Sequence, residues 1–185
     1  MAYLIIIVGC NFLFSAFHVF TLGVGYFYAL GVSALCTVYV IAIDGATAGL
    51  VRLLPAKYFS HENKLYCVGR REKLFYEKLK IRKWKDHVPD LGQATGFRKN
   101  KITDPKNPAY LERFLLEMAY GEMGHAVSVL TGALVIIPIF PFVGWVQIAA
   151  CVSFVSAVLN VLPVFVLRYN SYKLKILLKR LKTDS

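Results

Sequence analysis

The sequence predicts an all-α integral membrane protein: four transmembrane helices in two hairpins, with amphipathic cytoplasmic helices between them. Three observations predict it. Of 185 residues, 57% are hydrophobic, and the mean hydropathy is +0.52. A soluble domain of this length cannot hide that much apolar surface in one core. The apolar residues also form two blocks, Ala2–Leu54 and Ala126–Leu167. The first holds only Asp44 and Arg52 among acidic and basic residues, and the second holds none. Finally, all 22 lysines and arginines lie at or beyond Arg52.

A bilayer span needs about 20 apolar residues, so each block is long enough for two. Span one is read as Ala2–Leu22 and span two as Phe27–Leu53, with a short turn at Gly23 and Gly25. Span three is His125–Phe142, its far end loosened by Pro138 and Pro141. Span four is Trp145–Leu167, with Pro163 near its exit. The chain thus divides into a transmembrane hairpin (1–54), a cytoplasmic and interfacial segment (55–124), a second hairpin (125–167) and a basic tail (168–185). Four crossings put both termini on one side, and the basic residues make that side cytoplasmic. The N-terminus has no basic leader and no small-residue cleavage site, so it reads as a retained span.

The net charge of +11 suits nucleic acid or anionic lipid. Nucleic-acid motifs are absent, so the charge reads as topology signal and contact with anionic headgroups. Three of the four cysteines, Cys10, Cys36 and Cys151, lie in apolar spans, and no pair has CxxC or zinc spacing.

The cytoplasmic segment has its own pattern. Leu74, Phe75, Leu79 and Ile81 recur among basic residues over Arg71–Lys83, which predicts one amphipathic helix lying in the interface. Trp84 to Gly92 reads as an ordered turn and 96–108 as a loop. Asn107-Pro108 is a capping side chain followed by proline at the first helical position. The helix it starts runs through Tyr110–His125 toward span three.

On that helix Leu111, Leu115 and Met118 form an apolar stripe that Glu122 and His125 continue. Residues three apart on a helix are neighbours. A carboxylate beside an imidazole suits a general base acting on a hydroxyl; a structural interfacial pair is the other reading. Di-metal bundles use Glu-x-x-His on two helices; this chain has one copy, so no metal site is expected. Asp44 is the one acidic residue deep in a span, ~12 Å of helix ahead of Arg52 at ~1.5 Å per residue. Asn160 stands in the same relation to Arg168, so Asp44 and Asn160 are candidates for an intramembrane polar pair, with Asp44 either functional or a protonated residue that locks helix packing. Arg82, Lys83, Trp84 and Lys85 suit phosphates, or are simply basic residues beside an interfacial helix; Arg168, Tyr169 and Asn170 close span four, where basic and aromatic residues routinely anchor a span end. Glu122, His125, Arg168 and Asn170 are expected to converge at the cytoplasmic interface, under a cover formed by Trp84–Asp90. Asn11 and His18 lie in span one, where His18 reads as a packing or interface residue, and His61 and His87 read as solvated.

These residues fall in ordered blocks. They are Leu54 to Phe59; Ile81 to Lys85 with Asp90 and Gly92; Glu117 with Glu122-Met123-Gly124-His125; and Asn160 to Pro163 followed by Arg168-Tyr169-Asn170 and a basic leucine-rich tail. In this order and spacing, from about Leu54 to Lys182, they resemble the glycosyl-diaponeurosporenoate acyltransferase family, small bacterial membrane enzymes. Gly124 and Ala126 depart from the bulkier residues the family has beside its histidine. The resemblance implies an O-acyltransferase in a bacterial cell membrane, with no bound cofactor. It would move a fatty acyl group from an acyl-CoA or acyl carrier protein thioester to a hydroxyl of a glycolipid or other membrane lipid. It further implies His125 as base, Glu122 as its orienting partner and Glu117 and Asp86 behind them. Arg82, Lys83 and Lys85 would hold donor phosphates, with Trp84, Asp90, Tyr169 and Asn170 beside the substrates and Arg168 at the oxyanion. The competing expectations are a non-enzymatic docking partner and a lipid-modifying enzyme of another reaction class.

Overall fold

The computed structural model describes residues 2–88 and 102–183, and among them every regular element is helical. The elements are α1 (Ala2–Leu22), α2 (Tyr26–Leu53), α3 (Arg70–Lys78), α4 (Ile81–Trp84), α5 (Pro108–Thr131) and α6 (Trp145–Thr183), joined by short 3₁₀ turns. Among the described residues three helices, α1 from Leu4, α2 and α6, are long and apolar enough to cross a membrane. The chain divides into two compact units. One is Met1–Gly49 with Ala126–Val161; the other is Leu50–His125 with Leu162–Ser185.

The first unit is apolar on the outside and polar at selected points within. Leu13 is 72% exposed and Phe20 88%, as lipid-facing side chains are. Its interior packs Val32, Cys36 and Val40 of α2 against Val135, Trp145, Ile148 and Ala149. Lipid supplies no hydrophobic drive between helices, so close packing and interhelical hydrogen bonds hold them together, the latter at about 0.6 kcal/mol each on average. Ser33 donates to Asn11 Oδ1 at 2.6 Å, and Asn11 Nδ2 donates to Thr37 at 3.1 Å. Thr47 and Thr131 meet at 3.1 Å. Gly132 permits a tight approach here, since a Cβ on it would stand 3.3 Å from Ser156 Oγ.

The stretch read as span three, His125–Phe142, is a continuous α-helix only as far as Thr131. A 3₁₀ turn follows over Gly132–Ile136, and the chain is irregular to Gly144. Proline is the reason. Pro138 has no N–H, and its ring crowds the carbonyl four residues back. That carbonyl, Leu134 O, accepts from Ile137 N at 3.1 Å instead. The next freed carbonyl, Val135 O, accepts from Trp145 Nε1 at 2.9 Å. Gly144 then turns the chain into α6 with φ +75°, where a Cβ would strike Leu22. Pro163, by contrast, leaves α6 unbroken.

The second unit is built on the first half of α5 against the second half of α6. Asn107 Oδ1 accepts from Tyr110 N at 3.2 Å and so caps α5. Leu111, Phe114, Leu115 and Met118 pack on Leu167, Leu174 and Leu178, each worth about 1.5–3 kcal/mol buried from water. Phe59 stacks on Tyr120 with centroids 4.1 Å apart.

The single amphipathic helix expected over Arg71–Lys83 is two pieces. α3 ends at Lys78, Lys80 takes the left-handed conformation at φ 53°, and α4 restarts at Ile81. Trp84 Nε1 takes up the freed Leu79 carbonyl at 3.0 Å. The break sorts the apolar residues. Leu74, Phe75 and Leu79 stay exposed, while Ile81 is fully buried with Tyr76, Val166 and Tyr169. Lys73 faces inward, 3.2 Å from Glu77 and over the Tyr172 ring.

Candidate functional site

The stripe of α5 decides what sits at the centre of the second unit. Leu111, Leu115 and Met118 are almost wholly buried, and Glu122, next on the same face, is 7% exposed. A carboxylate so placed needs a cation. Arg168 of α6 supplies it through Nη1. The same guanidinium donates through Nε to Glu72 Oε1 and through Nη2 to Glu72 Oε2 at 3.0 Å, the forked geometry in which arginine binds carboxylate best. Nη1 also donates to Leu65 O at 3.0 Å. Tyr76 Oη closes the network by donating to Glu72 Oε1 at 2.6 Å.

The electrostatics follow from burial and this pairing. Burial pushes the Glu122 carboxyl above the ordinary carboxylate range, and Arg168 pulls against it. Burial also opposes ionisation of Glu72, but the bonds from Arg168 and Tyr76 outweigh it and hold that carboxyl below its ordinary value. The Tyr66 hydroxyl is pushed up to about 12, first by burial and then by the Glu122 charge. Lys175 Nζ donates to the carbonyls of His61 at 2.5 Å and Tyr66 at 2.8 Å, which ties this backbone to α6. A void of about 10 Å³ remains between Glu122, Lys175, Ser171, Tyr66 and His61, room for about one water.

His125 lies one turn beyond Glu122 on α5 and is half-buried. Glu117 pairs with Arg52 at 3.2 Å. Asp86 is exposed and pairs with Lys85 at 3.5 Å. Arg82 donates through Nε to Tyr169 Oη at 2.7 Å and through Nη2 to Glu77 at 3.1 Å. Lys83 is exposed, Trp84 and Asn170 are half-buried, and Tyr169 is fully buried. Asp90 lies outside the described residues, as does part of the cover expected over Trp84–Asp90. Asp44 and Asn160 belong to the first unit, where Asn160 Nδ2 donates to Asp44 Oδ2 at 3.1 Å and Ser156 Oγ to the same oxygen at 3.3 Å. Among the described residues no three His, Cys, Asp or Glu gather as metal ligands would.

Glu72 is the residue that sequence reasoning missed. It sits in the charged run Arg70-Arg71-Glu72-Lys73, where any member looks solvated. The available signal was the helical period: Glu72 and Tyr76 are one turn apart, on the side of α3 opposite Leu74.

These features define a class: a helical membrane protein, one of whose two compact units is organised around a buried carboxylate–guanidinium–carboxylate cluster. The family follows from comparison. The model of the glycosyl-4,4'-diaponeurosporenoate acyltransferase family matches residues 55–180, about two thirds of the chain, and the protein belongs to that family. No curated protein and no solved structure matches the chain.

Proposed function

We propose that the protein moves a fatty acyl group from a thioester of coenzyme A or acyl carrier protein to a hydroxyl of a glycolipid or other membrane lipid. The family match carries this reading, because residues 55–180 contain His125 and every member of the Glu72–Arg168–Glu122 cluster. In the reaction His125 takes the proton of the acceptor hydroxyl. The oxygen attacks the thioester carbonyl, the carbon–sulfur bond breaks, and the thiolate recovers the proton from the imidazolium. An ester and a free thiol result. Glu122, one turn away, holds negative charge beside the imidazolium as it forms. Arg168 and Glu72 are positioning residues that fix Glu122. The direct test is lipid mass spectrometry of cells with and without the gene. A lipid heavier by one fatty acyl group should appear with the gene only. Identical profiles under conditions where the protein is present would refute acyl transfer.

The same reading includes four membrane crossings, both termini cytoplasmic, in a bacterial cell membrane. Two contacts within the first unit support a broken third crossing. Thr131 meets Thr47 near one end of α2, and Tyr28 near the other end donates to Val143 O at 3.3 Å. The chain from Thr131 to Val143 therefore runs nearly the length of α2, ~28 Å at ~1.5 Å per residue, part of it without helix. Irregular backbone at membrane depth is tolerated where protein surrounds it, and Val135 and Trp145 are buried. The exposed thiol of Cys67 tests the orientation. A membrane-impermeant maleimide should modify it only after the cells are permeabilised, with Cys67→Ser as control. Modification in intact cells would put the segment outside.

A further inference from the structure

Beside the buried cluster the second unit has an open cleft of about 440 Å³, within the range of ligand sites. Its floor is Phe59 and Leu116, and its rim carries Ser60, His61, Glu62, Glu112, Arg113 and Lys182. Three observations say what it suits. Glu112 and Lys182 form an ion pair, so that pair neutralises itself. Arg113 is exposed and forms no ion pair among the described residues, so its guanidinium is open to a ligand, while Glu62, also exposed, lies on the same rim. His61 lines both the cleft and the small void against Glu122. The cations that the sequence suggested for donor phosphates line neither space. Arg82 is held by Tyr169 and Glu77, and Lys85 by Asp86.

We propose that this cleft binds the phosphopantetheine arm of the acyl donor, with Arg113 on its phosphate and His61 at the end nearest the reacting thioester. The arm is a neutral, amide-rich strand that ends in a single phosphate. Apolar floor, hydroxyl and imidazole rim and one free guanidinium match it group for group. A polyanion would need more free cations than the cleft provides. The assignment rests on the acyl-transfer reading. Coenzyme A and acyl carrier protein both carry this arm, and either would extend beyond the mouth.

The test uses the full chain in lipid nanodiscs, with acyl-phosphopantetheine, acyl-CoA and acyl carrier protein as donors. Arg113→Gln removes the phosphate contact, and Ala109→Trp fills the mouth. Each should raise the donor KM about tenfold, the loss expected for one hydrogen bond to a charged group. The kcat, the acceptor KM and the melting temperature should stay parental, and Arg113→Lys should recover part of the loss. Acyl-phosphopantetheine should serve as donor, and the full carrier with the lower KM identifies the source. If the parent protein uses none of the three donors, the acyl-transfer reading itself fails. If the parent is active but both variants keep the parental donor KM, or acyl-phosphopantetheine is inert while a full carrier works, the cleft assignment is overturned.

Discussion

His125→Ala is expected to lower acyl transfer by about 10²–10⁴, the range for removal of a positioned base, while the protein remains folded in the membrane. The side chain is half-buried and stands where α5 leaves the second unit, so its truncation opens no deep core cavity. Glu122→Gln should cost less rate. The imidazole remains, and only the negative charge beside it is lost. The two variants should also differ in stability. Glu122→Gln leaves Arg168 with one carboxylate, Glu72, and should lower the melting temperature; His125→Ala should hardly change it. Single-turnover assays with purified protein, paired with melting curves, separate the effects. Parental turnover by His125→Ala would remove His125 as the base.

The second large effect is on folding. Arg168→Leu should destabilise the second unit by about 3–5 kcal/mol, the cost of stranding buried carboxylates without their cation. Arg168→Lys should recover part of this, because an ammonium restores charge but not the fork that spans both oxygens of Glu72. The pH dependence gives the assignment its signature. In the parent, Glu72 is held below the ordinary glutamate value of 4.5. The stability it contributes is complete above that value and is lost as pH falls through its lowered pKa. Glu122 works the other way. Burial already raises it in the parent, with Arg168 and Lys175 pulling against that rise; in Arg168→Leu only Lys175 remains to oppose it. Protonation then relieves the stranded charge, so the variant should gain stability on acidification from a higher pH, and by more, than the parent does. Parallel melting profiles of the two proteins between pH 7 and 5 would refute the cluster's role in holding the fold.

How much of this the sequence carried depends on whether the deciding interaction was local. The bounds of α1 and α2, Ala2–Leu22 and Tyr26–Leu53, agree with the spans read from hydropathy to within a residue. In lipid the backbone must satisfy itself within the segment, so an uninterrupted apolar run is already a helix. The start of α5 was equally local, because Asn107 and Pro108 encode the cap themselves. The apolar stripe that carries Glu122 inward could be read from period alone.

Other features required the fold. Hydropathy treated His125–Phe142 as a full helix, although Trp145 receives the carbonyl that the proline-broken turn releases. It also ended span four at Leu167, whereas α6 runs to Thr183, because Leu174 and Leu178 find Leu111 to Met118 on α5. The left-handed Lys80 that turns Ile81 inward has no mark in a basic amphipathic run. Above all, the partner of Arg168 was invisible. Glu72 lies far away in the chain amid charges of both signs; its period places it on the side of α3 with Tyr76, but nothing local says that Arg168 meets it there. Composition and period determined which segments avoid water and which face of each helix does so. Only tertiary packing decided which carboxylates meet which guanidinium, because a buried ion pair is set by two surfaces that approach from distant parts of the chain, and its energy exists only once both have left water.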